Sequence, residues 1–438
     1  MFNKSFLQSE YQLRKNPFPN GATYALDDTT GAYEPAMYGD QLNEFRNKFF
    51  VKPLESEQPI LGALWSVSTG GDPQARGFGK STLMGEESKL VNQDFGRTMF
   101  MEMGADEDEA ASYPVLASYV SFTSEGANGI ASIEAAGFHL LRFLLNSETA
   151  NGISIHSQLH SMLVQRLTAE GKVNEGEEGT AVLHELRSYF RRLNVTIDMS
   201  GKMADFMLRI ASPNADALHE FLGTKVTAWH QPRFGLKYLQ LYTAFAYLSG
   251  IKHLTFFIDQ IEDFTSISGR AKIGKNVKIL RDALIESQPF KSCASFVFQL
   301  HPVAWGVLQE HWHLEDLRDL YVANPKNRPF VVNLEGLKTF ESAHALANHY
   351  LNHPKHAAPG RKTSLHPFTE EALEYVWSNN QLPRQYLQML NMLIEVGRDQ
   401  QAKRLDLAFC KTILDGDEDT PRSARRTRSR SGMDSRLQ

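Results

Sequence analysis

The sequence predicts an α/β protein with a mainly parallel sheet, and three observations predict it. Short apolar runs at 61–68, 113–123, 253–259, 293–300 and 328–334 have strand length and are rich in Val, Phe, Leu and Tyr. Segments with apolar residues at i, i+3, i+4 spacing lie between them. A glycine-rich loop joins the first run to the first long helical segment. Strands alternating with helices in this way pack as helices over a parallel sheet.

In chain order, residues 1–55 begin loop-rich, with "NPFPNG" at 16–21 and Pro35, and then suit a helix through "YGDQLNEFRNKFF". "LGALWSVS" (61–68) reads as a buried strand entering the glycine loop, and "KSTLMGEESKLVNQDF" as the helix leaving it. "YPVLASYVSFT" (113–123) is the second strand. From about 126 to 250 the pattern is helical, as in "IASIEAAGFHLLRFLLN" and "AVLHELRSYFRRLN", with a polar, glycine-rich link at 169–180. "HLTFFID" (253–259) is an apolar run ending in a carboxylate; "CASFVFQL" and "RPFVVNL" follow as strands. "FESAHALANHYLN", "TEEALEYVWSN" and "RQYLQMLNMLIEVGRDQQAKR" then suit a small helical bundle. The last stretch, "DGDEDTPRSARRTRSRSGMDSRLQ", is too polar to bury a core and is expected to be disordered.

The bulk properties narrow the function classes. At 438 residues, with 42% hydrophobic and 22% charged residues, the chain suits a globular protein of two or three domains. The net charge of -5 supplies no general attraction to nucleic acid, so such a contact needs a local patch. Cys293 and Cys410, far apart in sequence, suit a reducing compartment and no cysteine metal site. The apolar stretch 236–251 is interrupted by Lys237, Gln240 and Ser249 and is shorter than the roughly 20 residues a membrane span requires. The N-terminus lacks a long apolar signal run, so a soluble cytoplasmic protein without membrane contact is expected.

The loop carries the chemistry. "GFGKST" (77–82) matches the end of the P-loop pattern G-x-x-x-x-G-K-[ST], in which backbone amides wrap phosphates at a helix N-terminus. Counting back from Gly79, the first glycine of the pattern would stand at 74, where the chain has Gln74; Gly70 and Gly71 imply a lengthened approach. G-x-G-K-[ST] arises by chance in about 1–2% of chains of this length, and the strand before and helix after favour a phosphate site over a surface turn. Arg76, Gly77, Phe78, Gly79, Lys80, Ser81 and Thr82 are then the nucleotide-binding set. Lys80 is its cation, and Ser81 is the hydroxyl ligand to Mg²⁺. Asp259, ending an apolar strand, is the matching acidic residue for the metal. The following position holds Gln260, which can orient water but is a poor base, so Glu262 is the first candidate to activate water and Gln260 the second.

With these motifs in order, the chain resembles AAA+ ATPases, within the P-loop ATPases of the ASCE group. The likeness is nearest to the branch of origin-recognition and initiator proteins, ExeA-type ATPases and transposition regulators. "DQIEDF" is also similar to the "DQFEEL" motif of STAND signalling ATPases, and "YLSGIKHLTFFIDQIEDF" to a segment of ATP-binding proteins of phage-exclusion systems. The resemblance covers about 55–125 and 232–410 and rests on short motifs. It implies a sensor residue after the Asp strand, Gln299 or His301, and a second sensor, Arg384, in "QLPRQYL" of a helical lid. It implies an N-terminal segment against the adenine, and an arginine finger from a neighbouring subunit, for which Arg318 and Arg281 are candidates. Surface ion pairing is the simpler reading of both.

The domain layout expected is an N-terminal segment (1–55), a P-loop ATPase core (56–125 and 233–334), a helical insertion (126–232), a helical lid (335–414) and a basic tail (415–438). The function expected is Mg²⁺-dependent ATP binding with slow or partner-stimulated hydrolysis. It would drive a switch or motor in a DNA-linked process such as replication initiation, transposition or defence against foreign DNA. The alternative is a signalling or scaffolding switch gated by a protein partner and indifferent to DNA. A homo-oligomer fits either. His156 and His160 at i, i+4 lack a nearby third ligand and read as a packed pair rather than a zinc site, as do His311 and His313. The tail arginines, Arg422, Arg425, Arg426, Arg428, Arg430 and Arg436, could neutralise phosphates, though "DGDED" just before them partly offsets their charge.

Overall fold

A computed structural model describes residues 5–20, 33–56, 60–66, 77–122, 130, 132–174, 176–193, 201–223, 234–261, 270–317 and 330–415. The chain divides into two compact units, Asp40–Glu335 and a second made of Met1–Gly39 with Gly336–Gln438.

The larger unit is built on a five-stranded sheet of β1 (Ile60–Trp65), β2 (Val115–Ser121), β3 (His253–Asp259), β4 (Ala294–Leu300) and β5 (Val331–Asn333). All neighbours pair in parallel, in the order β2-β3-β4-β1-β5, so the α/β class with a parallel sheet holds. β2, β3, β4 and β5 fall within apolar runs seen in the sequence, and β1 begins one residue before its run, at Ile60. β3 and β4 are buried along their whole length, which is why they read as continuous apolar runs instead of alternating ones.

Among the described residues, the helices of seven or more residues in this unit are α1 (Asp40–Arg46), α2 (Lys80–Asp94), α3 (Ile133–Asn146), α4 (Ile155–Ala169), α5 (Glu178–Arg192), α6 (Gly201–Ile210), α7 (Ala215–Leu222), α8 (Gly235–Leu248), α9 (Arg270–Arg281) and α10 (Pro302–Leu314). The crossover from β1 to β2 runs one way across the sheet, and those from β2, β3 and β4 run back the other way. Right-handed crossovers therefore put α2 on one face and the later helices on the opposite one. Side-chain alternation along β3 bears this out. Thr255 Oγ1 donates to the Phe49 carbonyl at 2.8 Å and the Phe257 ring stacks on Phe45 at 5.3 Å, both partners in or just beyond α1. Leu254, Phe256 and Ile258 enter a single hydrophobic core with residues of α3 to α10.

The stretch read as an insertion, 126–232, is helical where described and shares that core with the sheet. Its α3 lies against α8 at two glycines. A Cβ on Gly235 would come within 1.9 Å of the Glu134 carbonyl oxygen, and one on Gly137 within 2.7 Å of the Leu236 nitrogen. On the other face, Arg46 of α1 grips Glu87 of α2 in a buried two-pronged pair (2.7 and 2.9 Å) and reaches Glu102 at 2.7 Å. Asn92 of α2 donates to the Ala117 carbonyl and accepts from the Ala117 amide, covering backbone of the edge strand β2 (2.8 and 2.9 Å).

The second unit contains α11 (Phe340–Asn352), α12 (Glu370–Asn379), α13 (Pro383–Asp399) and α14 (Leu407–Asp415). The N-terminal segment runs over these helices. The Tyr11 hydroxyl donates to the Ala402 carbonyl at 2.5 Å, the Arg14 amide to His356 O at 2.7 Å, and Asn16 Nδ2 to Asn391 O at 3.0 Å. The basic tail from 416 lies outside the described residues. No described helix is long and apolar enough to cross a membrane.

Candidate functional site

The glycine loop ends in two residues of left-handed backbone, Gly77 (φ 91°) and Gly79 (φ 80°), a conformation that favours glycine over any side-chain-bearing residue. Gly79 is the residue before α2, so the chain turns there and the first-turn amides of α2, from Lys80, Ser81 and Thr82, point along the helix axis toward the strand ends. Phe78, between the glycines, is buried, and Lys80 Nζ lies 5.6 Å from its ring centre. Lys80 is itself 5% exposed and donates to the hydroxyl of Ser66, the residue just past β1.

The carboxyl ends of β3 and β4 supply the other groups, on the α2 face of the sheet. Ser81 Oγ donates to Gln299 Oε1 at 3.4 Å, joining the first turn of α2 to the end of β4. Asp259 is fully buried, and its Oδ2 accepts the Tyr119 hydroxyl proton at 2.6 Å. Gln260 takes a left-handed backbone (φ 55°), rare for a residue with a side chain, and its Oε1 accepts from Ser121 Oγ at 2.9 Å. Lys80, Ser81, Asp259 and Gln299, each singled out in the sequence, thus gather at one edge and face of the sheet.

His301 is placed differently. It is buried at the start of α10, where its ring Nδ1 accepts the Ala304 amide at 3.3 Å and caps the helix. Arg384 lies in the first turn of α13, in the second unit, and is half-buried. Arg281 ends α9 and pairs with Asp282 (3.5 Å) and Glu286 (3.2 Å). Arg76, Glu262, Asp263 and Arg318, with Gly70, Gly71 and Gln74 of the loop approach, lie outside the described residues.

Sequence reasoning passed over Ser66, Tyr119 and Ser121. The signal that could have found them is position: Ser66 directly follows β1, and Tyr119 and Ser121 lie at the carboxyl end of β2 beside β3, where Ser121 stands opposite Asp259 in register. His156 and His160 are buried and hydrogen-bond the Ser212 and Ala211 carbonyls (2.7 and 3.1 Å); burial lowers the affinity of both for protons, that of His156 to a pKa of about 4. Among the described residues, no group of three or more His, Cys, Asp or Glu side chains could hold a metal ion. An ion bound by one carboxylate and one hydroxyl would complete its shell from phosphate oxygens and water.

Comparison of the chain with known protein families finds no family that matches, and comparison with curated proteins finds no match either.

Proposed function

We propose that the chain is an Mg²⁺-dependent ATP-binding protein with a P-loop fold that acts as a molecular switch or slow ATPase in a DNA-linked process. The observation that carries this reading is the gathering of Lys80, Ser81, Gln299 and Asp259 at the carboxyl edge of a parallel sheet, beside the strand where the crossovers reverse direction. Ligands of open α/β sheets bind at that reversal. β1 and β3 are two strand spacings apart, about 10 Å, a gap suited to a metal-bound triphosphate between a buried cation and a buried carboxylate.

In this reading the left-handed Gly77 and Gly79 let the backbone approach the phosphates, with Phe78 and Arg76 beside them. The amides of Lys80, Ser81 and Thr82 accept negative charge at the helix N-terminus. Lys80 exchanges its Ser66 contact for phosphate oxygen. Ser81 and Asp259 hold Mg²⁺, which when bound neutralises charge on the phosphate oxygens. Gln299 holds the Ser81 hydroxyl and senses its position; Arg384 is the second sensor, and His301 is the lesser candidate beside Gln299. For hydrolysis, Glu262 activates water and Gln260 orients it.

Gln260 also favours the second reading, a partner-gated switch that turns over only when bound to another protein. It stands where a carboxylate base is expected and is tethered to Ser121.

The test is binding of a fluorescent ATP analogue and ATP turnover, measured with and without duplex DNA, on the parent chain and on Lys80→Ala. Loss of a charged contact should weaken nucleotide binding by about 10–100-fold. DNA-stimulated turnover abolished by Lys80→Ala supports the DNA-linked ATPase, and binding with no turnover supports the gated switch. A parent chain that binds no nucleotide defeats both.

A further inference from the structure

We propose that the outward face of α9 binds the phosphate backbone of double-stranded DNA. This rests on the DNA-linked branch of the function proposed above and assigns the surface that would make the contact.

Within α9 the sequence RAKIGKNVKILR carries Arg270, Lys272, Lys275, Lys278 and Arg281 and no carboxylate. The whole chain has 51 acidic residues against 46 Lys and Arg, so this helix runs against the overall charge. Arg270, Lys272, Lys275 and Lys278 are exposed, whereas Arg281 is engaged by Asp282 and Glu286.

The helix cannot roll to hide these cations. Ile273, Val277 and Leu280 are buried in the core of the larger unit. Asn276 accepts the Ile133 amide at 2.8 Å, tying α9 to the start of α3. Gly274 lies where a Cβ would be 3.0 Å from the His311 ring of α10, so the second flank of α9 is also closely packed.

The chemistry of the face selects its partner. Twelve residues of helix span about 18 Å, room for four cations along several phosphates of a duplex. No aromatic residue stands on α9 to stack unpaired bases, which disfavours single strands. Its long aliphatic side chains point inward, so it offers no apolar edge for insertion into a lipid headgroup layer. Asn276, the residue suited to reading base edges, is buried. The contact is therefore to the backbone, independent of base sequence and strongly dependent on salt.

The experiment measures the anisotropy of a labelled duplex of about 20 base pairs with the full chain, from about 50 to about 200 mM salt. Because the tail arginines also attract phosphate, it is run in two backgrounds: the parent, and a full-length variant with the six tail arginines changed to glutamine. In each, Lys272→Gln, Lys275→Gln and Lys278→Gln together should lower the slope of log affinity against log salt by about 2–3. The same three positions changed to arginine should keep it. Nucleotide binding by the triple glutamine variant should match the parent, showing that the fold is intact. A slope unchanged by the glutamine variant overturns the proposal. So does a parent that binds no duplex at the lowest salt, or a variant that keeps DNA binding and loses binding to phosphatidylserine vesicles. Absence of ATP binding by the parent would defeat the nucleotide reading alone, since the anisotropy is measured without nucleotide.

Discussion

Tyr119 places its hydroxyl 2.6 Å from Oδ2 of Asp259 in a sheet edge sealed from water, where Tyr119 is 3% and Asp259 0% exposed. A buried carboxylate is tolerated only with hydrogen bonds or a counter-charge, and the phenol supplies one such hydrogen bond to this one. If Asp259 holds Mg²⁺, Tyr119 is a positioning residue, and Tyr119→Phe should raise the Mg²⁺ concentration for half-maximal nucleotide binding by about 10-fold or more. Binding without Mg²⁺ should be unchanged. Titrating Mg²⁺ at fixed nucleotide separates this from packing, because equal losses with and without the ion would leave Tyr119 a purely structural role. At this scale Lys80, Ser81 and Asp259 were conspicuous in the sequence because their neighbours resemble a motif. Tyr119 was not, because its partner is 140 positions away and only strand register brings them together. The left-handed backbone of Gln260 was equally hidden, since nothing in "FIDQIE" announces a positive φ.

Among the elements, strands were legible where both faces are covered, because double burial writes an uninterrupted apolar run. β3 was read as 253–259 and forms His253–Asp259. The crossing of α3 and α8 was not legible, since a glycine inside a helical pattern reads only as a weakness of the helix. Helix propensity alone would have Gly235→Ala stabilise the protein by up to about 1 kcal/mol. The geometry reverses the sign. The new Cβ would meet the Glu134 carbonyl oxygen at 1.9 Å and the Phe138 nitrogen at 2.6 Å, and both are backbone atoms that cannot swing aside. Overpacking of this kind costs about 1–3 kcal/mol, and the overlap puts this site at the upper end. Urea unfolding should therefore show Gly235→Ala destabilised by about 2 kcal/mol net. A variant as stable as the parent would mean that the two helices do not meet at these glycines.

Across the whole molecule, the sequence sets the N-terminal segment (1–55) apart from the helices of 335–414, whereas the compact units join residues 1–39 with 336–438. That grouping was not legible because its contacts span most of the chain: the Tyr11 hydroxyl bonds Ala402, 391 positions away, and Asn16 bonds Asn391, 375 away. Tyr11 is fully buried, lies edge-on to Phe6 and His366, and has its hydroxyl pKa pushed up to about 12 by burial. Gly397 of α13 admits it, for a Cβ there would come within 2.5 Å of the Tyr11 hydroxyl. Removing such a ring costs about 3–5 kcal/mol. If the two units unfold separately, Tyr11→Ala charges that loss to the helices of 340–415 alone. Hydrogen exchange should then speed up by about 100-fold or more for amides of α13, while β3 and β4 keep the protection of the parent. Equal acceleration in β3 and α13 would mean that the units open together, and that a substitution beside the N-terminus reaches the strand carrying Asp259.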